Sequence, residues 1–439
     1  MSFFLDFFRN IPFVSKSYHF SLAFLSALFY GFPSRKMTVI GVTGTKGKTT
    51  TCNLIADILA GAGHKIGLAT TVNFRIGDKA WVNDTKQTML GRFALQRILK
   101  QMADAGCRYA VIETSSEGIL QYRHRFIDYN VVVFTNLSPE HIERHGGFEN
   151  YRAAKVKLFE LVAKRNGSIG IYNLDDESVG YFLKSPIQNK YGFGNLSKFN
   201  FDREWEARFV GGKRFPISNI MLTGELSKLN FDRESYEINL LGEFNVQNAV
   251  AAICTALAVG IPVEAIRKAL KSASAPPGRM EEVPNQKGFR IFIDYSYEPK
   301  GLEEALKAVQ LFKPKRILVL IGSAGGGRDR WRRPVMGEVA DKYADIVIVT
   351  TDDPYDEDPD AIIDDIMPGL LKNKARVLGK NVFRIADRRR AIEKTIGLAR
   401  NGDVILFAGK GGETLMGVAK GKKIPWNERE IVEETLKEQ

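Results

Sequence analysis

Cysteine is scarce in this sequence, with Cys52, Cys107 and Cys254 the only three among 439 residues. They lie far apart, so they form neither the spacing of a metal site nor a disulfide framework. This scarcity excludes the disulfide-rich class of secreted proteins and predicts a reducing, cytoplasmic environment. From its length, the chain is expected to contain two or three domains.

A long hydrophobic run is also missing. The longest nearly uncharged stretch, residues 17–32, is shorter than the about 20 residues that cross a bilayer. No small-residue cleavage site follows it, so a signal peptide is not expected. Two interpretations of residues 1–36 stay open. They form a helix packed on the next domain, or an interfacial helix on the cytoplasmic membrane face, assisted by Arg35 and Lys36.

Long basic runs are absent too, although the formal net charge is +12. No nucleic-acid partner is predicted, because no basic patch interleaved with aromatic residues accompanies this charge. Anionic small substrates or an anionic membrane surface explain the charge equally well.

What the sequence does contain is a glycine-rich turn between a strand and a helix. Apolar residues 37–40 predict a buried strand, and apolar residues recur at helical spacing in residues 52–59. In this context backbone N–H groups cradle phosphates, with Lys48 on the β- and γ-phosphates and the Thr49 hydroxyl on Mg²⁺. The strict P-loop pattern fails at its first glycine, which falls on Val42. The predicted nucleotide contacts are Gly44, Thr45, Gly47, Lys48, Thr49 and Thr50.

Strands and helices alternate from residue 37 to about residue 275, which predicts an α/β domain with a mainly parallel sheet. Ligands gather at the carboxyl ends of such strands, and Glu113 and Asn136 fall there. Glu113 is therefore a natural Mg²⁺ ligand. The alternation resumes after a proline-glycine hinge and predicts a Rossmann-like α/β domain without the dinucleotide fingerprint. The expected parts are an apolar N-terminal segment (1–36), a central P-loop domain (37–277) and a C-terminal domain (278–439).

A short internal repeat relates residues 196–204 to residues 226–234. Two copies are too few for a solenoid. We interpret them as hairpin strands of a β-rich insertion, residues 194–241, and assign them no chemistry.

The turn at residues 41–49, which reads Gly-Val-Thr-Gly-Thr-Lys-Gly-Lys-Thr, resembles the phosphate loop of the Mur ligase family. These ATP-dependent amide-bond ligases assemble the peptide of bacterial cell-wall precursors, and the folylpolyglutamate synthetases are their relatives. Residues 135–159 resemble a second family stretch nearly throughout. This resemblance implies that His141 helps to bind a second Mg²⁺. It also implies that Lys155 is carbamylated, which turns an ammonium into a carboxylate-like ligand.

Two asparagines, Asn245 and Asn248, share one face of a predicted helix, and their amides suit a purine edge. The family has Asn-x-x-Asn at this place, which implies that both lie near the adenine. By the same resemblance Arg279, just after the hinge, is a phosphate contact. Asp294, at a predicted strand end, is implied to approach the ATP ribose.

Within the family, the closest pattern is that of the UDP-N-acetylmuramoyl-tripeptide synthetases. Tyr355 replaces the arginine of enzymes that add meso-diaminopimelate, so the added amino acid stays open. Glu117, Tyr297 and Gly412 replace family histidines. The implied contacts of the muramyl-peptide acceptor are Ser115, Ser116 and Arg123, and those of the incoming amino acid are Asp352, Asp353, Tyr355 and Glu413.

The resemblance implies that the chain adds the third stem-peptide residue to a UDP-N-acetylmuramoyl-peptide through an acyl phosphate, with ATP and Mg²⁺. Residues 1–36 are too few for the family's N-terminal uridine-binding domain, so the uridine end is expected to be bound differently. One alternative is a folylpolyglutamate-type or other Mur-like peptide ligase. The other is a non-catalytic, ATP-binding scaffold apposed to the membrane, which the missing histidines motivate. The sequence gives no oligomeric state.

Overall fold

The computed structural model describes residues 12–139, 145–195, 208–372 and 375–438, with side chains from residue 17 onward. The chain divides into two compact units, which are described separately. The first unit comprises residues 1–220, 228–238 and 245–273, and the second comprises residues 221–227, 239–244 and 274–439. Both units have a sheet flanked by helices, so the predicted α/β class is confirmed.

The helices of the first unit are α1 (Pro12–Phe29), α2 (Lys48–Gly61), α3 (Arg92–Asp104), α4 (Ser116–Leu120), α5 (Phe148–Val162), α6 (Val179–Leu183), α7 (Glu243–Ala258) and α8 (Val263–Lys271). A short 3₁₀ helix, Pro33–Lys36, follows α1. The strands are β1 (Thr38–Thr43), β2 (Ile66–Ala69), β3 (Asn73–Ile76), β4 (Lys79–Val82), β5 (Tyr109–Glu113), β6 (Tyr129–Phe134), β7 (Ile169–Asn173), β8 (Asn189–Gly194), β9 (Lys213–Leu222), β10 (Ser227–Phe231) and β11 (Glu234–Ile238).

The strands of the first unit form one sheet in the order β11-β10-β9-β8-β7-β6-β1-β5-β2-β3-β4. The seven strands from β9 to β2 in this order run parallel, as predicted. The strands β3 and β4 return antiparallel at one edge. Helices cover both faces of a parallel sheet, which explains why the central strands β1, β5 and β6 read as continuous apolar runs.

The predicted β-rich insertion extends this sheet rather than forming a separate layer. Strand β9 pairs in parallel with β8, and β10 and β11 continue the sheet beyond it. The turn between β10 and β11 has positive φ at Asp232 (48°) and Arg233 (66°), which is the type I′ geometry of tight hairpins. The second repeat copy, residues 226–234, therefore forms a hairpin as predicted. The first copy, residues 196–204, lies outside the described residues.

The N-terminal helix α1 packs one face on the first unit. Its small residues Ala23, Ser26 and Ala27 are buried. The rings of Phe20 and Phe24 meet the ring of Phe126 edge to face, with centroids 5.1 and 5.3 Å apart. Over its described residues, 12–36, this segment is thus a helix packed on the next domain, as the first of the two interpretations predicted. Within the described part of the chain, none of the helices has the length and hydropathy that spanning a bilayer requires.

The second unit has helices α9 (Pro299–Gln310), α10 (Arg332–Tyr343), α11 (Pro359–Leu371), α12 (Arg388–Leu398) and α13 (Glu428–Glu438). Its strands are β12 (Glu281–Glu282), β13 (Arg290–Asp294), β14 (Ile317–Ile321), β15 (Ile346–Val349), β16 (Val382–Arg384), β17 (Val404–Ala408), β18 (Leu415–Gly417) and β19 (Lys423–Pro425).

The main sheet of the second unit has the order β12-β13-β17-β14-β15-β16, and all but β12 run parallel. Strands β18 and β19 form a separate antiparallel pair. Side chains alternate between two hydrophobic clusters, with Phe292 in one and its neighbours Ile291 and Ile293 in the other. Successive strand residues point to opposite faces, so these clusters are the cores on the two sides of the sheet.

Candidate active site

The phosphate loop joins β1 to α2 in the first unit. Two of its residues have to be glycine in this fold. A Cβ atom on Gly44 would lie 2.0 Å from Thr135 Oγ1, and one on Gly47 would lie 1.9 Å from Asn248 Oδ1. The φ angles of the two glycines are 156° and 76°, a region that glycine adopts without steric cost. Close approach of neighbouring groups therefore fixes the shape of the loop.

The end of β6 holds this loop in place. The backbone N–H groups of Thr45 and Lys46 donate to the carbonyl and side-chain oxygens of Asn136, each at 2.9 Å. The Thr135 hydroxyl donates to the Lys46 carbonyl at 2.8 Å. Because β1 and β6 are parallel neighbours, their carboxyl ends meet and make these bonds possible. Asn136, which the sequence placed at a strand end without a role, is thus a support of the loop.

A hydroxyl–carboxylate pair lies at the start of α2. The Thr49 hydroxyl donates to Glu113 Oε2 at 2.9 Å, and the Thr71 N–H donates to the same oxygen at 2.8 Å. The register of β1 and β5 pairs Val42 with Glu113, which brings this buried carboxylate beside the loop. Lys48 Nζ donates to the Thr45 carbonyl at 2.7 Å. The structure therefore brings the predicted phosphate and Mg²⁺ residues together.

Helix α5 brings Lys155 to the same loop. This lysine is 1% exposed, its Nζ donates to the Gly44 carbonyl at 2.7 Å, and it lies 4.5 Å from the centre of the Tyr151 ring. The Tyr151 hydroxyl is 3.1 Å from Thr45 Oγ1. The amine of Lys155 is thus placed against the backbone that would hold a phosphate. The other residue implied by this family stretch, His141, lies outside the described residues.

His145 is a residue to which the sequence gave no role. Its Nε2 lies 3.1 Å from the Ser116 hydroxyl, and its ring meets Tyr151 edge to face at 5.0 Å. The neighbouring Ser115 caps α4 by accepting from the Gly118 N–H at 3.1 Å. The structure thus links the predicted acceptor contact Ser116 to the phosphate loop through His145 and Tyr151. A histidine pair at i and i+4 was too weak a signal to predict this link.

The last predicted acceptor contact, Arg123, connects two loops. Its Nη2 donates to Gln121 Oε1 at 2.7 Å, and its Nη1 donates to the Met89 carbonyl and, at 3.3 Å, to Gln87 Oε1. Burial lowers the pKa of Arg123, and the Glu117 carboxylate opposes that shift. These bonds hold the Arg123 side chain between residues 87–89 and Gln121.

The two asparagines of α7 reach the start of α2. Asn248 Nδ2 donates to Asn245 Oδ1 at 3.1 Å, and both side chains are buried. The contact of Asn248 Oδ1 with Gly47 brings the pair to the phosphate loop.

In the second unit, Arg279 and Asp294 meet at the carboxyl end of β13. Asp294 Oδ2 accepts from the Met280 N–H at 2.8 Å. Burial raises the pKa of Asp294, while the Arg279 guanidinium opposes that shift. The Arg279 guanidinium lies 4.2 Å from the centre of the Tyr295 ring. These two predicted nucleotide contacts are therefore brought together.

Lys410 is buried among the three carboxylates that were predicted to meet the incoming amino acid. Its Nζ lies 2.8 Å from Asp353 Oδ1, 2.5 Å from Glu413 Oε2 and 3.8 Å from Asp352 Oδ1. Burial alone would lower the pKa of Lys410, but the three carboxylates raise it above its ordinary value. Burial raises the pKa of Asp352, against the attraction of Lys410 and Arg388. Lys410 and Arg388 supply two positive charges against the carboxylates of Asp352, Asp353, Glu413 and Glu428, so the cluster keeps a net negative charge.

Tyr355 has a fixed position beside this cluster. Its φ of 52° is unusual for a large side chain. Cβ atoms on Gly326 and Gly417 would each lie 2.7 Å from its ring, so two glycines make room for it. The Tyr355 hydroxyl lies 3.5 Å from Asp353 Oδ2. The ring therefore occupies a defined slot in the loop that was predicted to read the amino acid.

A phosphate loop with a hydroxyl and a carboxylate at its head, on a parallel sheet, defines an enzyme that uses a nucleoside triphosphate. Comparison with known proteins gives the class of enzyme. Residues 42–256 match the model of the Mur ligase middle domain, and residues 278–411 match that of the Mur ligase, glutamate ligase domain.

Two similar proteins are enzymes of one kind. A UDP-N-acetylmuramoyl-L-alanyl-D-glutamate–2,6-diaminopimelate ligase of Geobacillus kaustophilus is 36% identical over 424 residues, which cover 95% of this chain and 82% of the relative. A UDP-N-acetylmuramyl-tripeptide synthetase of Roseiflexus sp. is 35% identical over 422 residues, covering 93% and 80%. The chain therefore belongs to the Mur ligase family, the ATP-dependent ligases of peptidoglycan precursor synthesis.

Solved structures agree with this membership. The solved structure of a UDP-N-acetylmuramoyl-L-alanyl-D-glutamate–2,6-diaminopimelate ligase has a TM-score of 0.60 and 29% identity. The match covers 92% of this chain and 79% of the other. A folylpolyglutamate synthase of Mycobacterium tuberculosis has a TM-score of 0.65 at 16% identity, with 89% and 92% covered. The second likeness shows the shared fold alone.

Proposed function

We propose that the chain adds an amino acid to UDP-N-acetylmuramoyl-L-alanyl-D-glutamate, as the third residue of the stem peptide. The names of its relatives support this acceptor. The observation that carries the ligase chemistry is the bond from the Thr49 hydroxyl to Glu113 Oε2 at the head of the phosphate loop. We also propose the division into residues 1–36, 37–277 and 278–439.

The first unit is proposed to bind ATP and Mg²⁺. Two oxygens, from the Thr49 hydroxyl and Glu113, converge at 2.9 Å, and such hard oxygen ligands fit Mg²⁺. When bound, the ion neutralises charge on the phosphates. Lys48 would leave its bond to the Thr45 carbonyl for the β- and γ-phosphates. The predicted adenine pair, Asn245 and Asn248, would hold the nucleotide beside the loop.

Lys155 and His141 are proposed to complete this site. In its carbamylated form Lys155 would carry a carboxylate at the loop, where the unmodified amine now donates to the Gly44 carbonyl. Ser115, Ser116 and Arg123 would orient the acceptor. The hydrogen bond between Ser116 and His145 supports this assignment, because it gives the serine a fixed rotamer.

The proposed reaction has two successive displacement steps. An oxygen of the acceptor carboxylate attacks the γ-phosphorus, which forms an acyl phosphate and releases ADP. The neutral amine nitrogen attacks the acyl carbon, the bond from that carbon to the bridging oxygen breaks, phosphate leaves with the oxygen that came from the carboxylate, and the nitrogen releases a proton. The chain's residues hold the partners in line and stabilise the charge that develops on the phosphoryl group.

The second unit is proposed to present the amine. With Arg388 paired to Glu428, the carboxylates Asp352, Asp353 and Glu413 still outnumber the ammonium of Lys410, so the cluster would attract the amino group of a substrate. Tyr355 would contact the side chain of the incoming amino acid. Arg279 and Asp294 would contact the nucleotide.

We propose the cytoplasm as the compartment and the inner face of its membrane as the place of work. Three buried, unpaired cysteines support the reducing compartment. The membrane part of the proposal rests on the N-terminal helix.

Phosphate release with ATP and Mg²⁺ tests this function. The acceptor would be UDP-N-acetylmuramoyl-L-alanyl-D-glutamate, offered with lysine, meso-diaminopimelate or ornithine. Release that requires one amino acid, and that Lys48→Ala abolishes, is the expected result. Turnover only on a folate acceptor would move the chain to another branch of the fold. ATP binding without turnover on either acceptor would favour the alternative of a non-catalytic, ATP-binding scaffold.

A further inference from the structure

The N-terminal helix α1 has an exposed face made almost wholly of large apolar side chains. Between residues 17 and 29 the helix carries no charged residue. An ordinary surface helix has charged or polar residues on its outer face. Phe29 and Leu28 are 75% and 54% exposed, and they end this face. Its exposed large side chains are Tyr18, Phe20, Phe24, Leu25, Leu28 and Phe29.

The orientation of this face is fixed by the opposite side of the helix. The buried residues Ala23, Ser26 and Ala27 recur at spacings of three and four, which defines one helical stripe against the first unit. Phe20 and Phe24 are pinned at the boundary by the ring of Phe126. The helix therefore lies along the surface of the unit with its apolar face outward.

The apolar face continues onto α3 and is bordered by positive charge. The ring of Phe93, itself 44% exposed, lies 6.4 Å from the ring of Phe29. Arg97, one turn further along α3, is exposed, and so are Arg35 and Lys36 just after α1. The Arg35 side chain is 64% exposed and 3.5 Å from Asp128, a carboxylate that it shares with Arg165. Among the described residues of this border, Arg35, Lys36 and Arg97 therefore outnumber the carboxylate of Asp128.

We infer that the outward face of α1, together with Phe93, docks on an anionic lipid bilayer. A flat helix with aromatic and aliphatic side chains outward and basic residues at its border is the pattern of an interfacial helix. Apolar side chains would enter the headgroup region, and Arg35, Lys36 and Arg97 would meet anionic headgroups. The chain's net charge of +12 adds to the attraction. This inference rests on the membrane location proposed above.

Sedimentation of the full chain with vesicles tests this surface. One set of vesicles would be phosphatidylcholine alone, and the other would contain phosphatidylglycerol as well. We expect binding to the anionic vesicles at least tenfold tighter than to the neutral ones, and weaker binding at high salt. The double variant Leu28→Glu/Phe29→Glu should lose at least tenfold. The matched control Val210→Glu/Met221→Glu changes exposed apolar residues elsewhere and should stay within about twofold of the parent chain.

Three results would overturn the inference. The first is no binding of the parent chain to either vesicle. The second is equal binding of the variant and the parent chain. The third is a dimer that forms without vesicles and that Leu28→Glu/Phe29→Glu abolishes, because the apolar face would then be the interface with a second copy of the chain. Circular dichroism checks that the variant is folded. Phosphate release without vesicles reports the ligase reaction separately, so failure of one claim does not imply failure of the other.

Discussion

The Thr49 hydroxyl donates to Glu113 Oε2 at 2.9 Å, although 64 positions separate the two residues. Parallel pairing of β1 with β5 makes this bond, because it brings the end of one strand beside the loop that follows the other. Both groups are buried at the start of α2. They are the pair on which the proposed metal-assisted phosphoryl transfer depends.

The variant Glu113→Gln keeps an oxygen that can accept from Thr49 and from the Thr71 N–H, but it removes the charge. We expect kcat for phosphate release to fall about 100-fold or more, equivalent to about 3 kcal/mol of transition-state stabilisation. The melting temperature should change little. Steady-state kinetics over a range of Mg²⁺ concentrations measures the effect. Glu160→Gln, an exposed change on α5, is the control. Activity within threefold of the parent would count against Glu113 as a metal ligand.

Carbamylation of Lys155 has a readout that does not depend on activity. Lys155 is buried with its Nζ 2.7 Å from the Gly44 carbonyl, and a carbamate would form there by addition of the lysine amine to carbon dioxide with loss of one proton. With ¹³C-bicarbonate, we expect a carbamate signal by ¹³C nuclear magnetic resonance that Lys155→Arg lacks. The exposed neighbour Lys157 provides the control, because Lys157→Arg should keep the signal. A signal that persists in Lys155→Arg would assign the modification elsewhere, and no signal in the parent chain would exclude it.

His124 predicts a loss of stability in mild acid. Burial lowers its pKa to about 3, and within the described part of the chain neither ring nitrogen has a hydrogen-bond partner. The unfolded chain, with a pKa near the ordinary 6.5, therefore binds more protons between these two values. The stability that the neutral, buried His124 contributes is fully present above pH 6.5 and is lost as the pH falls towards 3.

The expected loss from His124 is about 2 kcal/mol of unfolding free energy between pH 8 and pH 5. Urea denaturation at several pH values measures it in the parent chain and in His124→Phe. The variant should show a flatter pH dependence by about one proton. Identical pH dependence in both proteins would show that His124 is not the responsible group.

The buried ion pair between Arg388 and Glu428 predicts a large cost for a single substitution. Two hydrogen bonds of 2.6 and 3.0 Å join the pair, and both side chains are at most 1% exposed. Glu428→Gln removes the carboxylate that is hydrogen-bonded to the buried guanidinium, so we expect about 3 kcal/mol of destabilisation of the second unit. Chemical denaturation of the full chain is the measurement.

An exposed pair on the same helices offers the matched control. Arg389 donates to Glu434 at 2.9 Å, with both side chains nearly half exposed. Glu434→Gln should cost no more than about 0.5 kcal/mol. Equal costs for Glu428→Gln and Glu434→Gln would contradict the role assigned to burial.

Local patterns were sufficient to predict the phosphate loop, the α/β class and the place of Glu113. Each follows from a short stretch of sequence, because parallel strands carry ligands at their carboxyl ends. The position of Lys410 could not be predicted in this way. Its partner Asp353 is 57 positions away, and the contact depends on how two loops fold over one sheet edge. The link from Ser116 to His145 is non-local for the same reason.

The β-rich insertion also contains a local feature that the sequence predicts and a non-local one that it does not. Turn chemistry and the repeat predicted a hairpin, which is a local structure. Its attachment as strands β9 to β11 to the parallel sheet depends on the pairing of β9 with β8, which no local pattern reports. The outward face of α1 was visible as an apolar stretch, but only the burial of Ala23, Ser26 and Ala27 showed which side of the helix is free.

In the proposed reaction, the acceptor carboxylate attacks the γ-phosphate. An acceptor labelled with ¹⁸O in that carboxylate tests it directly, because one of its oxygens has to leave with the phosphate. Mass spectrometry of the products should find one ¹⁸O atom in the released phosphate and the other in the new amide, with neither product in Lys48→Ala. Unlabelled phosphate formed alongside the amide would show that the acceptor carboxylate does not attack the γ-phosphate.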